Sequence, residues 1–294
     1  MANRHQVHSP PAWMGKRRRR RGIGCSFVLV VTLAVFVLGL IYCVFLFAPF
    51  RTNVLLLGID YTPLGTALGR SDTIIVATFI PFDPYVAMIS IPRDLWVQIP
   101  GVGENRINTA HFFAESTQPG TGPRAAIETI KYNFGVDIGY YIRVQFDGFR
   151  EIVGALGGVD IYLEKPMAGY SAGYHHLTGR KALAFARNRY GSDDFYRMEQ
   201  GQLIMKAVFS EMLAPENWIR LPGVLLSFSR VVDTNIPWWQ WPRLVIALLR
   251  LGPEGIDRYL ISREMVTPYT TNMGASVLLP NWESINLLFM HVFK

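Results

Sequence analysis

Asn53-Val-Leu-Leu-Leu-Gly-Ile-Asp60 decides the fold. The run is continuously apolar, too short for a helix, and closed by Gly and Asp, so it reads as a strand covered on both faces. Thr73 to Ile80 and Val86 to Ile91 repeat the pattern, rich in β-branched residues and separated by Pro81, Asp83 and Pro84. Downstream, a helix is predicted over Arg124 to Phe134, a strand over Tyr140 to Val144 and a helix over Phe146 to Leu156. Gly157-Gly158 then leads into a strand over Val159 to Leu163. Such alternation predicts an α/β class with a central β-sheet sandwiched by helices, and leaves open whether the sheet is parallel or mixed. From Gly179 the chain reads as predominantly helical, over Arg180 to Arg187, Met198 to Leu213 and Trp238 to Leu251. Leu203, Val208, Phe209 and Met212 fall on one helical face and predict burial.

Upstream of the first strand the chain changes character. Of its 29 Lys and Arg, seven lie in the first fifty residues (Arg4, Lys16 and Arg17 to Arg21), with no acidic residue among them; the other 22 equal the 22 Asp and Glu. The net charge of +7 is therefore local, and the remainder is formally neutral. Cys25 to Phe50 is almost wholly Val, Leu, Ile, Phe and Ala, enough for a spanning helix, which needs about 20 apolar residues. A cleaved signal peptide shares this order of basic then apolar segments, but has a shorter apolar region and a small-residue cleavage site that does not follow here. The expected organisation is a basic cytoplasmic tail over 1–24, disordered and without chemistry, a single transmembrane helix over 25–50, and one extracytoplasmic domain over 51–294. The arginine block fixes this orientation through the positive-inside rule, and no nucleic-acid partner is expected. Cys25 and Cys43, the only cysteines, both lie in the apolar segment, which leaves the outer domain without a disulfide, a Cys-ligated zinc or a thiol nucleophile.

Three carboxylates mark strand ends: Asp60 closes the first strand, Asp72 stands just before the second, and Asp94 follows the third. Ligands of α/β sheets collect at such ends. Mg²⁺ needs only one or two protein carboxylates, so Asp60 and Asp72 suffice; each alone also reads as a turn or helix cap. Arginines accompany them at Arg70, Arg93, Arg106, Arg187, Arg189 and Arg197. Their planar, permanently charged forks suit phosphate oxygens, although any single one is equally a partner for a nearby acid. His175-His176 reads as a loop pair, since neighbours point in different directions. Trp238, Trp239 and Trp241 suit either a membrane-interface belt or the core, and the core is the expectation. No His-Glu-x-x-His, Walker-type loop or nucleophile-elbow serine is present.

In order, Leu55-Leu-Leu-Gly-Ile-Asp60, Gly69-Arg-Ser-Asp-Thr73, Ser90-Ile-Pro-Arg-Asp94 and Arg106-Ile-Asn108 resemble the LytR-CpsA-Psr family. The resemblance continues through Phe146-Asp-Gly-Phe149, Ala155-Leu-Gly-Gly-Val159, Leu177-Thr-Gly-Arg-Lys-Ala-Leu183, Ala186-Arg-Asn-Arg189 and Asp194-Phe-Tyr-Arg197. It implies a Mg²⁺-dependent phosphotransferase, with Mn²⁺ an alternative ion, that moves a glycopolymer such as a teichoic acid-like polymer from a polyprenyl-pyrophosphate carrier to peptidoglycan at the cell membrane. By the same resemblance, Asp60 and Asp72 bind the metal, and Arg70, Arg93, Arg106, Arg187, Arg189 and Arg197 hold the pyrophosphate, with Asp194 and Asp94 orienting them. Asp72, Arg93 and Asp94 carry the catalysis, and either Asp72 or Asp94 accepts the hydroxyl proton. The implied fold encloses an apolar tunnel for the polyprenyl tail, to which Met205, Val208, Phe209 and Met212 are assigned. Arg106 stands where the family usually has Lys, Leu95 where a polar residue is usual, and Gln200 and Gly201 where Arg and Gln are. Two rival readings remain, a lipid pyrophosphatase and a non-catalytic binding or regulatory protein.

Overall fold

In a computed structural model the described residues are 23–60, 68–188 and 194–293. The chain forms two units, Met1–Phe45 and Leu46–Lys294. The first contributes most of helix α1 (Ile23–Phe47), whose 25 residues rise roughly 37 Å at 1.5 Å each. Its apolar side chains are exposed around the whole circumference, which fits a single-pass membrane anchor rather than a core helix.

The body is built on β1 (Thr52–Ile59), β2 (Ser71–Ile80) and β3 (Tyr85–Ser90), followed by a small hairpin of β4 (Trp96–Ile99) and β5 (Gly103–Arg106). Helices α2 (Thr109–Thr117) and α3 (Gly122–Phe134) lead to β6 (Tyr140–Gln145) and α4 (Phe146–Leu156). A ribbon of β7 (Val159–Leu163) and β8 (Gly173–Leu177) precedes α5 (Gly179–Arg187), α6 (Asp194–Leu213), α7 (Leu221–Val231) and β9 (Val232–Thr234). The chain closes with α8 (Trp241–Leu251), β10 (Asp257–Leu260), the hairpin β11 (Val266–Thr270) and β12 (Ser276–Pro280), and α9 (Trp282–Phe293).

The central sheet is mixed, in the order β10-β3-β2-β1-β6-β9, with β1–β6 and β3–β10 parallel and the other pairings antiparallel. Period-two alternation explains the unbroken apolar run of β1. Leu55, Leu57 and Ile59 face one layer with α3 and α9, through Ile130, Phe134, Ile285 and Phe289; Val54 and Leu56 face the other with α8 and the second half of α6, through Leu244, Leu248, Phe209 and Leu213. A third cluster joins α4, α5, α6 and the β7–β8 ribbon around Val153, Leu156, Phe185 and Val208.

Four sequence readings change. Asp72 lies inside β2, which begins at Ser71. His175 and His176 are on strand β8, where His176 Nδ1 meets Asp160 Oδ1 at 2.6 Å across the ribbon. The last third is predominantly helical as read, but the short strands β9 to β12 lie between its helices, and α8 starts at Trp241 rather than Trp238. Trp238 and Trp239 are 76% and 46% exposed, whereas Trp241, set against Phe228 at 5.3 Å, packs against the core.

Candidate functional site

β1, β3 and the parallel β6 all end at one edge of the sheet, and antiparallel β2 begins there. This edge therefore gathers Asp60, Asp72, Arg93 and Asp94 from remote sequence positions. Gly58 permits the close approach: a Cβ on it would lie 2.9 Å from Thr73 Cβ, and the register shifts immediately after it. Asp60 N then donates to Arg70 O at 3.2 Å, which joins the end of β1 to the segment before β2.

Carboxylates and guanidiniums form a connected lattice. Arg93 Nη1 donates to Asp72 Oδ1 at 3.0 Å, and Arg197 Nη2 lies 3.9 Å from Asp72 Oδ2. Asp94 stands between Arg93 Nε at 3.5 Å and Arg106 Nε at 3.3 Å. Arg106 is further fixed by the Ser276 carbonyl of β12, which accepts from Nε at 3.1 Å and from Nη2 at 2.6 Å. Arg187 Nη2 donates to Asp60 Oδ1 at 3.0 Å while its guanidinium lies 4.7 Å from the centre of the Phe146 ring. Arg70 is exposed at the rim.

Two cavities share Asp72 and Arg93. One, of about 570 Å³, combines an apolar wall of Ile74, Ile75, Ile91, Phe146, Leu183 and Met198 with Arg180, Arg187 and Arg197. The other, of about 490 Å³, is polar and holds Asp60, Arg70, Asp94, Arg106 and Asn108. Together their described linings carry six arginines against three aspartates, so pairing inside the lattice leaves a surplus of guanidinium charge. An anion with several oxygens matches that surplus, and an apolar extension matches the wall.

For a divalent cation the donor set is all oxygen. Asn108 is buried beside Asp60 and Asp72, and its Oδ1 has no hydrogen-bond partner among the described residues. Two carboxylates and an orphaned amide oxygen fit Mg²⁺ or Mn²⁺, which fill the remaining positions with water and phosphate oxygens. Among the described residues no group of three or more His, Cys, Asp or Glu is placed to hold a metal ion.

Behind the site lies a buried polar network. His111 and Glu115, one turn apart on α2, face Arg143 on β6. Arg143 Nη1 lies 3.0 Å from Glu115 Oε2 and 3.1 Å from His111 Nε2, and Nη2 lies 2.7 Å from Asp233 Oδ2. A guanidinium only donates, so Nε2 accepts and the imidazole proton sits on Nδ1, which donates to Gly69 O at 3.1 Å. Burial first, then the Arg143 charge, holds the His111 pKa below its ordinary value. For Glu115 burial acts upward, but Gly120 and Gly122 N–H donors, with Arg143, outweigh it and the pKa is lowered. The neutral imidazole thus braces the backbone directly before Arg70 and Asp72.

Of the sequence-expected site residues, Asp60, Arg70, Asp72, Arg93, Asp94, Arg106, Arg187 and Arg197 come together around these cavities. Arg189 and the Asp194 side chain lie outside the described residues. Of the residues assigned to the tunnel, Met205 and Phe209 pack against the sheet and Val208 and Met212 against the third cluster, while Met198 and Gly201 of the same helix line the larger cavity. Leu95 is fully buried in the core, so its departure from the family pattern falls on packing, and Gln200 is buried while Gly201 lines the cavity wall. Asn108, Phe146 and Arg180 were missed as site residues, although all three stand inside the quoted motifs.

A helix long and apolar enough to span a bilayer and a mixed α/β body with an arginine-rich, apolar-walled cavity define the class: an α/β protein with one candidate membrane span. The match of residues 50–286 to the LytR_cpsA_psr family gives the identity at that level, and the chain belongs to this family. It is 34% identical over 191 residues to polyisoprenyl-teichoic acid–peptidoglycan teichoic acid transferase TagU of Bacillus cereus, covering 63% of this chain and 60% of that protein. It is 31% identical over 195 residues to regulatory protein MsrR of Staphylococcus aureus, covering 64% and 57%. The chain thus spans about 60% of the length of these curated relatives. Among solved structures, TagV of B. subtilis superposes with a TM-score of 0.67 at 26% identity, over 83% of this chain and 97% of that one. TagT bound to LIIa-WTA superposes at 0.66 with 20% identity, over 82% and 89%, a likeness of fold.

Proposed function

We propose that this protein is a membrane-anchored phosphotransferase that moves a glycopolymer from a polyprenyl-pyrophosphate carrier to a peptidoglycan hydroxyl outside the cytoplasmic membrane. The observation that carries it is the pair of cavities sharing Asp72 and Arg93: the larger joins surplus guanidinium charge for a diphosphate to an apolar wall for an isoprenoid, and the polar one adds the carboxylates Asp60 and Asp94 beside it. Similarity to a protein named a teichoic acid transferase supports the same substrate class. The basic block ahead of α1 supports an outward-facing body.

In this reading Arg93 and Arg197 turn from Asp72 toward phosphate oxygens, and Arg187 does the same from Asp60, an exchange that keeps every charge paired. The released Asp60 and Asp72 oxygens, with Asn108, would hold Mg²⁺ or Mn²⁺, which supplies neutralisation of the diphosphate. The acceptor hydroxyl attacks the sugar-bearing phosphorus as the bond to the bridging oxygen breaks, polyprenyl phosphate leaves, and Asp72 or Asp94 takes the proton. Positioning and charge stabilisation do most of such catalysis.

The test incubates the full chain in detergent with a polyprenyl-pyrophosphate sugar and Mg²⁺, with and without peptidoglycan fragments. Glycan joined to the fragment supports the transferase, and cleavage without joining points to a pyrophosphatase. Because one relative is named a regulatory protein, the third outcome matters too. Ligand binding without metal-dependent turnover would replace the enzyme by a binding protein.

A further inference from the structure

The sheet end opposite the site carries an apolar surface that the core does not use. β1 starts there, two residues after Phe50; the β2–β3 turn holds Phe82; and Trp238 and Trp239 follow β9, where Asn235 is hydrogen-bonded to Gly139 O and Tyr141 N at the start of β6. Helix α8 lies along this end with Leu244, Ala247 and Leu248 turned inward, yet its outward positions Val245 and Leu249 are exposed and apolar. A helix face meeting water is usually polar.

Two arginines bind these pieces into one surface. Arg250 Nη1 donates to Pro81 O at 2.5 Å and to Phe82 O at 2.8 Å. Arg243, 1% exposed, donates through Nη2 to Ala48 O at 2.8 Å and also to Phe50 O. Those carbonyls follow directly on the apolar helix, whose last residue is Phe47. Three residues reach at most about 10 Å, so the point where the chain leaves a bilayer lies that close to the Arg243 clamp.

We infer that this end of the body docks on the phospholipid bilayer, with Trp238 and Trp239 in its interfacial zone and Phe50, Phe82, Val245 and Leu249 beside them. Tryptophan favours that zone because its ring is apolar and its N–H can reach water or headgroups. The inference rests on α1 being a retained anchor and is independent of the transfer chemistry.

The experiment places the full chain in single-copy nanodiscs of phosphatidylcholine and phosphatidylglycerol, with acyl chains brominated near the headgroup, and reads tryptophan emission. Helix α1 contains no tryptophan, so the span itself contributes no signal. Quenching of the parent protein is expected, with loss of its larger part in the Trp238→Phe/Trp239→Phe double variant, a change that keeps the ring character of the surface. Equal fractional quenching in parent and variant overturns the inference. Absence of quenching in single-copy discs, with self-association when copies are crowded, overturns it in favour of a second copy. Flotation with lipid vesicles reports the anchor separately: a chain that floats without Trp238-dependent quenching keeps the anchor and loses the docking surface.

Discussion

Asp72 divides its carboxylate between two guanidiniums, Oδ1 toward Arg93 and Oδ2 toward Arg197, while Arg93 also reaches Asp94. Arg93 thus joins two carboxylates and is the arginine that both described cavity linings share. Removing a group that stabilises transition-state charge lowers turnover by roughly 10²–10³-fold, and that is the expectation for Arg93→Ala in the transfer assay. Arg93→Lys should recover little, because an ammonium lacks the planar fork. The choice between Asp72 and Asp94 as proton acceptor is made by the pH–rate profiles of Asp72→Asn and Asp94→Asn. The acceptor is the one whose amide variant loses the acidic limb of the profile, while the other variant keeps the limb at reduced amplitude. If both profiles keep it, neither carboxylate is the base.

Helix α5 brings Arg180 and Arg187 to the cavity, and its start is seated directly on α4. A Cβ added at Gly179 would stand 2.3 Å from the Arg150 carbonyl oxygen, a backbone atom that cannot swing aside. Gly179→Ala should therefore separate the helices. Overpacking of this kind costs about 1–3 kcal/mol, readable as a lower denaturant midpoint, and it should weaken phosphate-analogue binding as Arg187 loses Asp60 and Phe146. Elements of this kind were legible to different degrees. α4 and β7 have the boundaries read from sequence, because Gly157-Gly158 punctuates a clear change of period. The β4–β5 hairpin and α7 escaped, since β5 is the polar run Gly-Glu-Asn-Arg and α7 opens with Leu-Pro-Gly. The site was legible in its aspartates, because an apolar run that stops at a carboxylate marks a strand end. Asn108, Phe146 and Arg180 carry no such local mark, and their place follows only from the packing of α2, α4 and α5 around the sheet edge.

At the scale of the whole molecule, β1 is eight residues long, so roughly 25 Å separates the chemical edge of the sheet from the end that carries Trp238 and Trp239. The body must hold that edge firmly from within, and the His111–Glu115–Arg143 network does so behind Gly69. Its stability is tied to pH. In the unfolded chain an imidazole takes up a proton below about 6.5, whereas burial and Arg143 keep His111 neutral in the fold to lower pH. The unfolded state thus binds more protons in that window. The stabilising contribution is complete above about 6.5 and declines as pH falls toward the folded value. Glu115, with its folded pKa also lowered, adds a second loss below about 4.5. Denaturant unfolding of the full chain in detergent across this range should show stability falling in two stages. His111→Gln should flatten the upper stage and leave the lower one. Glu115→Ala strips a buried partner from Arg143 and should cost about 3–5 kcal/mol at neutral pH. A parent protein whose stability stays level from pH 7 to pH 5, with His111→Gln indistinguishable from it, would mean that the imidazole does not brace the Gly69 segment.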